Sequence, residues 1–282
     1  MRQWHMPTIA IVISTFNRPR TLYRLLSIID NQLRINMREV DVCVVDDGSE
    51  KDLTGTFPEY QFKHEYVYRP RGEGSRVYSS RNMAVAKTQG EIVIQMDDDV
   101  TFHERTLSEI QNMGAIFAFT SDIKWAMCAR ISNNIDKEPD MGNDRAGYHR
   151  GPDGLWRDGK VQIMPASWPS TSSAMMVMTR ATWDMVGGYD EDFDGCMGAS
   201  DQELALRISK AGGYMMLGPY FAHVEDEETG SHRMNMIVNR PAGRMSNEDL
   251  MRQKHPDMDF WEQVDGWDLK YEVDGYAKVI AK

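Results

Sequence analysis

Three short apolar runs in this chain stop in the same way. Residues 8–14 give way to Thr15-Phe16-Asn17-Arg18-Pro19, residues 40–45 to Asp46-Asp47-Gly48-Ser49, and residues 92–96 to Asp97-Asp98-Asp99. Continuous apolar runs of this length suit strands buried on both faces, as in a parallel sheet. Helix signals fill the gaps. Pro19 fits a first helical turn, and Leu22, Leu25, Leu26 and Ile29 follow at helical spacing. A short strand is expected near residues 65–68. A helix over 79–88 follows, ended by Gly90. This β-α-β-β-α-β alternation predicts an α/β fold with a mostly parallel central sheet flanked by helices. The carboxyl ends of its strands then share one edge, the edge at which open sheets bind ligands.

The later chain continues the pattern more loosely. Helices are expected over 103–114, 180–186 and 201–211, and strands over 125–131, 174–178 and 214–217. Residues 133–160 read as a long polar loop, a type that is often functional. Within the polar middle region, Tyr148, Trp156 and Trp168 suit either an exposed aromatic binding platform or core anchors. Residues 225–243, which include His232 and Arg233, read as polar and mobile. Ser246 and Asp249 have capping-box spacing for a short helix. Asp274-Gly275 signals a hairpin.

Bulk properties exclude some classes. With 32 basic against 43 acidic residues the net charge is -11, a field that does not draw in nucleic acid or anionic membrane. That disfavours a nucleic-acid partner. No apolar stretch approaches the ~18 residues of a membrane span. Cys43, Cys128 and Cys196 show neither zinc spacing nor a disulfide framework, so a reducing, cytoplasmic setting is expected.

The aspartate triplet carries the chemistry. Adjacent carboxylates at a strand end raise each other's pKa, and a hard divalent cation relieves that cost. A solvated acidic turn is the plain alternative. A second acidic site, Asp201, opens a later helix. Asp190, Asp192, Asp194 and Asp201 also match much of a calcium-binding EF-hand loop, but Gly187-Gly188 spoils the entering helix.

Taken together, several segments resemble family-2 glycosyltransferases with the GT-A fold. They are Ile13-Ser14-Thr15-Phe16-Asn17-Arg18, Val45-Asp46-Asp47-Gly48-Ser49, Ser80-Arg81-Asn82, and Gly90-Glu91-Ile92-Val93 before the triplet. Gly187-Gly188-Tyr189-Asp190-Glu191 and Gly198-Ala199-Ser200-Asp201-Gln202-Glu203-Leu204 resemble the acceptor-side motif of that fold, which usually has Phe at the place of Tyr189. The same segment, with His223-Val224, is similar to polypeptide N-acetylgalactosaminyltransferases.

The resemblance implies transfer of a sugar from a nucleotide-sugar, a UDP-sugar by preference, to a hydroxyl of a glycan, protein or other acceptor. It implies that Asp47 accepts hydrogen bonds from the base or ribose, and that Thr15, Asn17 and Arg18 line the same donor pocket. Arg81 is expected to reach the diphosphate or base. Asp99 is expected to bind Mn2+ or Mg2+, with Asp97 and His223 as further ligands. Asp97 and Asp98 are expected to hold ribose, sugar hydroxyls or metal-bound water. Asp201 is the expected general base, and an Asp there favours inversion, where the retaining enzymes carry Asn. Ser200 and Met197 replace the usual Glu and Trp, which puts some sugar contacts in doubt. A retaining transferase, a nucleotidyltransferase and a degenerate binding module remain as alternatives. The expected organisation is a catalytic domain over 1–245 and an extension over 246–282. Within the domain, 7–100 forms the donor half, 101–224 the acceptor half and 225–245 the lid.

Overall fold

A computed structural model describes residues 5–120, 124–132, 164–165, 174–196, 198–224 and 244–257. The expected polar loop, lid and hairpin lie outside them, as do Tyr148, Trp156, Trp168, His232 and Arg233.

The first part alternates as the apolar runs require. It comprises β1 (Ile9–Thr15), α1 (Pro19–Asp30), β2 (Val40–Asp46), β3 (Lys63–Tyr68), α2 (Val77–Lys87) and β4 (Ile92–Asp97). Next come β5 (Val100–Phe102), α3 (Thr106–Thr120), β6 (Trp125–Ser132) and β7 (Met164–Pro165). The remainder is β8 (Met175–Thr179), α4 (Arg180–Val186), α5 (Ser200–Lys210), β9 (Tyr214–Val224) and α6 (Asn247–Lys254).

One sheet runs in the order β3-β2-β1-β4-β8-β6-β9-β5, with β7 beside β9. The strands from β3 to β4 are parallel. Beyond β4 the sheet is mixed: β8 is antiparallel to β4 and β6, whereas β6 and β9 run parallel. Register brings the ends of the first runs together, since Thr15 pairs with Asp46 and Ser14 with Asp97.

Successive strand residues face opposite sides, so each apolar run feeds two cores. Ile9, Ile11 and Ile13 join Leu22, Leu25, Leu26 and Ile29 of α1 and Leu107 and Ile110 of α3. Val12, Cys43 and Val93 point the other way, to Ala84 of α2, Trp183 of α4 and Leu204 and Ile208 of α5. Burying one such aliphatic side chain is worth about 1.5–3 kcal/mol, so these facing stripes hold the helices on the sheet.

α4 falls where its sequence places it, and Gly187 ends it in the left-handed region at φ 76°. Ser246 caps α6 by accepting from the Asp249 N–H. Two elements differ from expectation. β5 is a strand of three residues, too short for any periodicity, and pairs with β9. β9 continues through Gly218-Pro219 to Val224, well past the expected end at residue 217.

Candidate active site

The triplet is no solvated turn: Asp98 and Asp99 are 4% and 5% exposed. Each carboxylate has a cation or hydroxyl against it. The Thr15 hydroxyl donates to Asp98 Oδ2 at 2.6 Å. Arg18 donates from one nitrogen to Asp98 Oδ1 and Asp99 Oδ2, both at 2.9 Å. Asp97 pairs with Arg81 from α2. Oδ1 of Asp99 is buried and has no partner.

Burial penalises the charged forms. It pushes the Asp98 carboxyl up to about 6, against the pull of Arg18 and the Thr15 hydrogen bond. Burial also pushes Asp97 up, opposed by Arg81. Asp97 keeps 37% of its side chain exposed, so solvent moderates that push.

Asp47 follows the end of β2, one strand away from the triplet, and its N–H donates to the Thr15 carbonyl at 2.9 Å. Its Oδ1 accepts from Arg76 Nε at 2.6 Å, and its Oδ2 from the Arg76 N–H at 2.9 Å and from Arg71 at 3.0 Å. A carboxylate offers about four lone-pair sites, so one remains for a ligand. Arg71 also stacks 4.0 Å above the centroid of Phe16. Arg18, not Asn17, caps the start of α1. At φ 53° Asn17 turns the chain out of β1. Its N–H donates to Ser49 Oγ at 2.7 Å and its side chain accepts from the Glu50 N–H at 2.8 Å. Thr15, Asn17, Arg18, Ser49, Glu50 and Lys51 line a cleft of about 280 Å³.

Arg81 is buried, its side chain 1% exposed. It pairs with Asp97, lies 3.7 Å from Asp201 Oδ1, and approaches the Tyr189 hydroxyl at 3.4 Å. Burial alone would lower its pKa, but Tyr189, Asp97 and Asp201 outweigh that and hold it charged.

Asp201 is not the cap of α5. Ala199 takes that place at φ 58°, and Asp201 lies in the first turn, where a carboxylate meets the positive helix end. Its Oδ1 lies 3.0 Å from the Tyr189 hydroxyl, and its side chain is 18% exposed. Thus one buried cation, from α2, stands between the triplet and Asp201.

The four EF-hand-like aspartates do not converge. Asp190 and Asp192 pair with Lys254, Asp194 accepts from the Tyr78 and Ser79 N–H groups, and Asp201 faces Tyr189. Among the described residues, no three His, Cys, Asp or Glu side chains gather as a protein-only metal cage would need. His223 lies on β9, its backbone paired with Thr101, two residues beyond Asp99.

The two parts of the site also touch through backbone. The Gly195 N–H donates to the Ser75 carbonyl, and a Cβ on Gly74 would meet the Gly195 Cα at 2.7 Å. Sequence reasoning passed over Arg71, Arg76, Gln95 and Tyr189. Arg71 sits in residues 69–75, which read as a Pro- and Gly-rich loop, Arg76 follows it, and Tyr189 stands where the similar motif has Phe.

Residues 10–113 match the model of glycosyl transferase family 2. The chondroitin synthase of Escherichia coli is 23% identical over 259 residues, covering 88% of this chain but 33% of the synthase. The chain therefore spans about a third of that relative. Among solved structures, GalNAc-T7 with UDP, GalNAc and Mn2+ superposes with a TM-score of 0.67 at 16% identity, over 93% of this chain and 50% of that one. TarS of S. aureus in complex with UDP gives 0.57 at 15% identity, over 95% of this chain and 76% of that one. Among the described residues no helix is long and apolar enough to cross a membrane. Over residues 10–113 the chain is thus similar to the family-2 glycosyltransferases, and its fold is GT-A.

Proposed function

We propose that the chain transfers a sugar from a nucleoside-diphosphate sugar, with UDP as the nucleotide, to an acceptor hydroxyl, with inversion at the anomeric carbon. The observation that supports this best is Arg81, a single buried cation paired with Asp97 and 3.7 Å from Asp201. In this reading it joins a donor side to an acceptor side. Similar structures that hold UDP support the donor class. The cleft beside Thr15 and Asn17, with Asp47, takes the nucleoside. Arg18 and Thr15 keep Asp98 and Asp99 fixed. Asp201 removes the acceptor proton from the face opposite the leaving group. An Asp at this place, where the retaining enzymes carry Asn, supports inversion.

A divalent ion, Mn2+ or Mg2+, fits on one observation: the unpartnered, buried Oδ1 of Asp99. Asp97 and His223 are the further ligands that the resemblance suggests. Hard ions of this kind are often held by one or two carboxylates together with substrate phosphates, which suits a site without a protein-only cage. When bound, the ion offsets the negative charge of the departing diphosphate.

The test is a panel of UDP- and GDP-sugars with Mn2+, read as free nucleoside diphosphate, with the product anomer assigned by NMR. Asp201→Asn is expected to keep donor binding and to lower turnover by about 10²–10⁴, the usual share of a positioned base. Tight nucleotide binding without turnover on any donor would identify a binding module instead. Asp99→Ala is expected to abolish the Mn2+ enhancement of donor binding measured by calorimetry. Persistence of that enhancement removes Asp99 from the metal site.

A further inference from the structure

Behind the triplet, the Tyr189 hydroxyl faces two acceptors with one proton. It lies 2.5 Å from Gln95 Oε1 and 3.0 Å from Asp201 Oδ1. Gln95 is fully buried in β4, and its Nε2 has no partner. The two ends of a carboxamide are nearly isosteric, and its orientation follows from the hydrogen bonds on offer. With the amide as drawn, both Nε2 protons are unmet and a phenol oxygen sits against a carboxylate without a proton between them. Turning the amide over gives an N–H that donates to the Tyr189 oxygen. The phenol proton is then committed to Asp201, where the bond is charge-assisted and stronger.

We propose that the Tyr189 hydroxyl is a positioning group for Asp201: it accepts from Gln95 and Arg81, donates to Oδ1 of Asp201, and so leaves Oδ2 for the acceptor. Both described partners of Asp201, Tyr189 and Arg81, lie on Oδ1. The inference rests on the reading of Asp201 as the base. In that step the acceptor O–H breaks and its proton passes to Oδ2. The acceptor oxygen bonds to the anomeric carbon, and the bond from that carbon to the diphosphate breaks, its electron pair leaving with the nucleoside diphosphate. Tyr189 exchanges no proton with the substrate.

The hydroxyl is separable from the ring. The ring packs against Tyr78 and Trp183, with centroids 5.3 and 5.8 Å away, and the motif this segment resembles usually carries Phe. Tyr189→Phe therefore keeps the ring packing and removes the hydroxyl, with its bond to Asp201 and the contacts from Gln95 and Arg81.

The experiment is a double-mutant cycle on the full chain: wild type, Tyr189→Phe, Asp201→Asn and the pair, assayed with whichever nucleotide-sugar the panel selects. Tyr189→Phe is expected to lower kcat about tenfold or more, the scale of a lost hydrogen bond to a charged group, with the donor KM unchanged. In the Asp201→Asn background the same change is expected to cost less than about twofold, since its partner no longer acts as a base. Losses that multiply in the double variant overturn the proposal and make the hydroxyl a structural group. Unchanged kcat in Asp201→Asn alone overturns the base reading and this proposal with it. Unchanged kcat in Tyr189→Phe beside a large loss in Asp201→Asn overturns the proposal and leaves the base reading standing.

Discussion

Asp98 shows what one buried carboxylate does to the rest of the chain. In the unfolded chain it releases its proton near 4. In the folded chain burial holds that proton to about 6, although Arg18 and Thr15 pull the other way. Between those values the folded state binds more protons than the unfolded state, so this group's contribution to stability falls as pH rises. The contribution is complete below about 4 and lost above about 6. Asp98→Asn is expected to remove that slope, a difference on the order of 1–3 kcal/mol between acid and neutral pH. Thermal unfolding from pH 4 to 8 with a chelator present checks it, and parallel curves for the two proteins would show that Asp98 is not the group responsible. The triplet and Asp201 were readable as acidic residues at element ends. Their partners were not. Gln95 and Tyr189 lie 94 positions apart in the chain, and Arg81 looks like any arginine on a helix until the fold buries it.

Among elements, α6 has an influence beyond its eight residues. The Asn247 side-chain amide faces the carbonyls of Phe193, Cys196 and Gly198 at 3.0–3.1 Å. Lys254 at the other end pairs with Asp190 and Asp192. Both ends thus grip the segment that leads into α5 and Asp201. Asn247 is 1% exposed, so Asn247→Ala strands buried carbonyls and is expected to cost about 2–3 kcal/mol by urea denaturation. The cap Ser246 is half-buried, and Ser246→Ala is expected to cost nearer 1 kcal/mol. Equal costs would mean that α6 is held by its own cap rather than by this grip. The start of α6 was legible because a capping box is a local signal. The grip was not, since it joins residues about fifty positions apart. For the same reason β5 escaped notice: three residues carry no period, and only pairing with β9 makes them a strand.

At the scale of the whole molecule, the sheet is continuous from β3 to β5 and both helical faces are filled. Arg81 crosses between the two parts of the site at one point and Gly74 meets Gly195 at another. Such coupling implies a single cooperative unfolding step. The three thiols report on it, since Cys43 lies in β2, Cys128 in β6 and Cys196 before α5, all buried. Pulsed thiol labelling across a urea gradient is expected to expose all three at one midpoint. Early labelling of Cys196 and Cys128 with Cys43 still protected would instead reveal two separately unfolding parts.

The contact between Gly74 and Gly195 has a consequence for how such enzymes can be recombined. The loop after β3 and the loop before α5 approach so closely that no side chain fits between them, and both glycines hold positive φ, at 68° and 91°. A chimera that takes residues up to the triplet from one relative and the rest from another inherits this junction from two parents. If either parent carries a side chain there, the graft pushes the two loops apart, however well each piece folds. The smallest exchangeable unit is therefore the pair of loops moved together, and a library cut between them is expected to yield folded but inactive proteins.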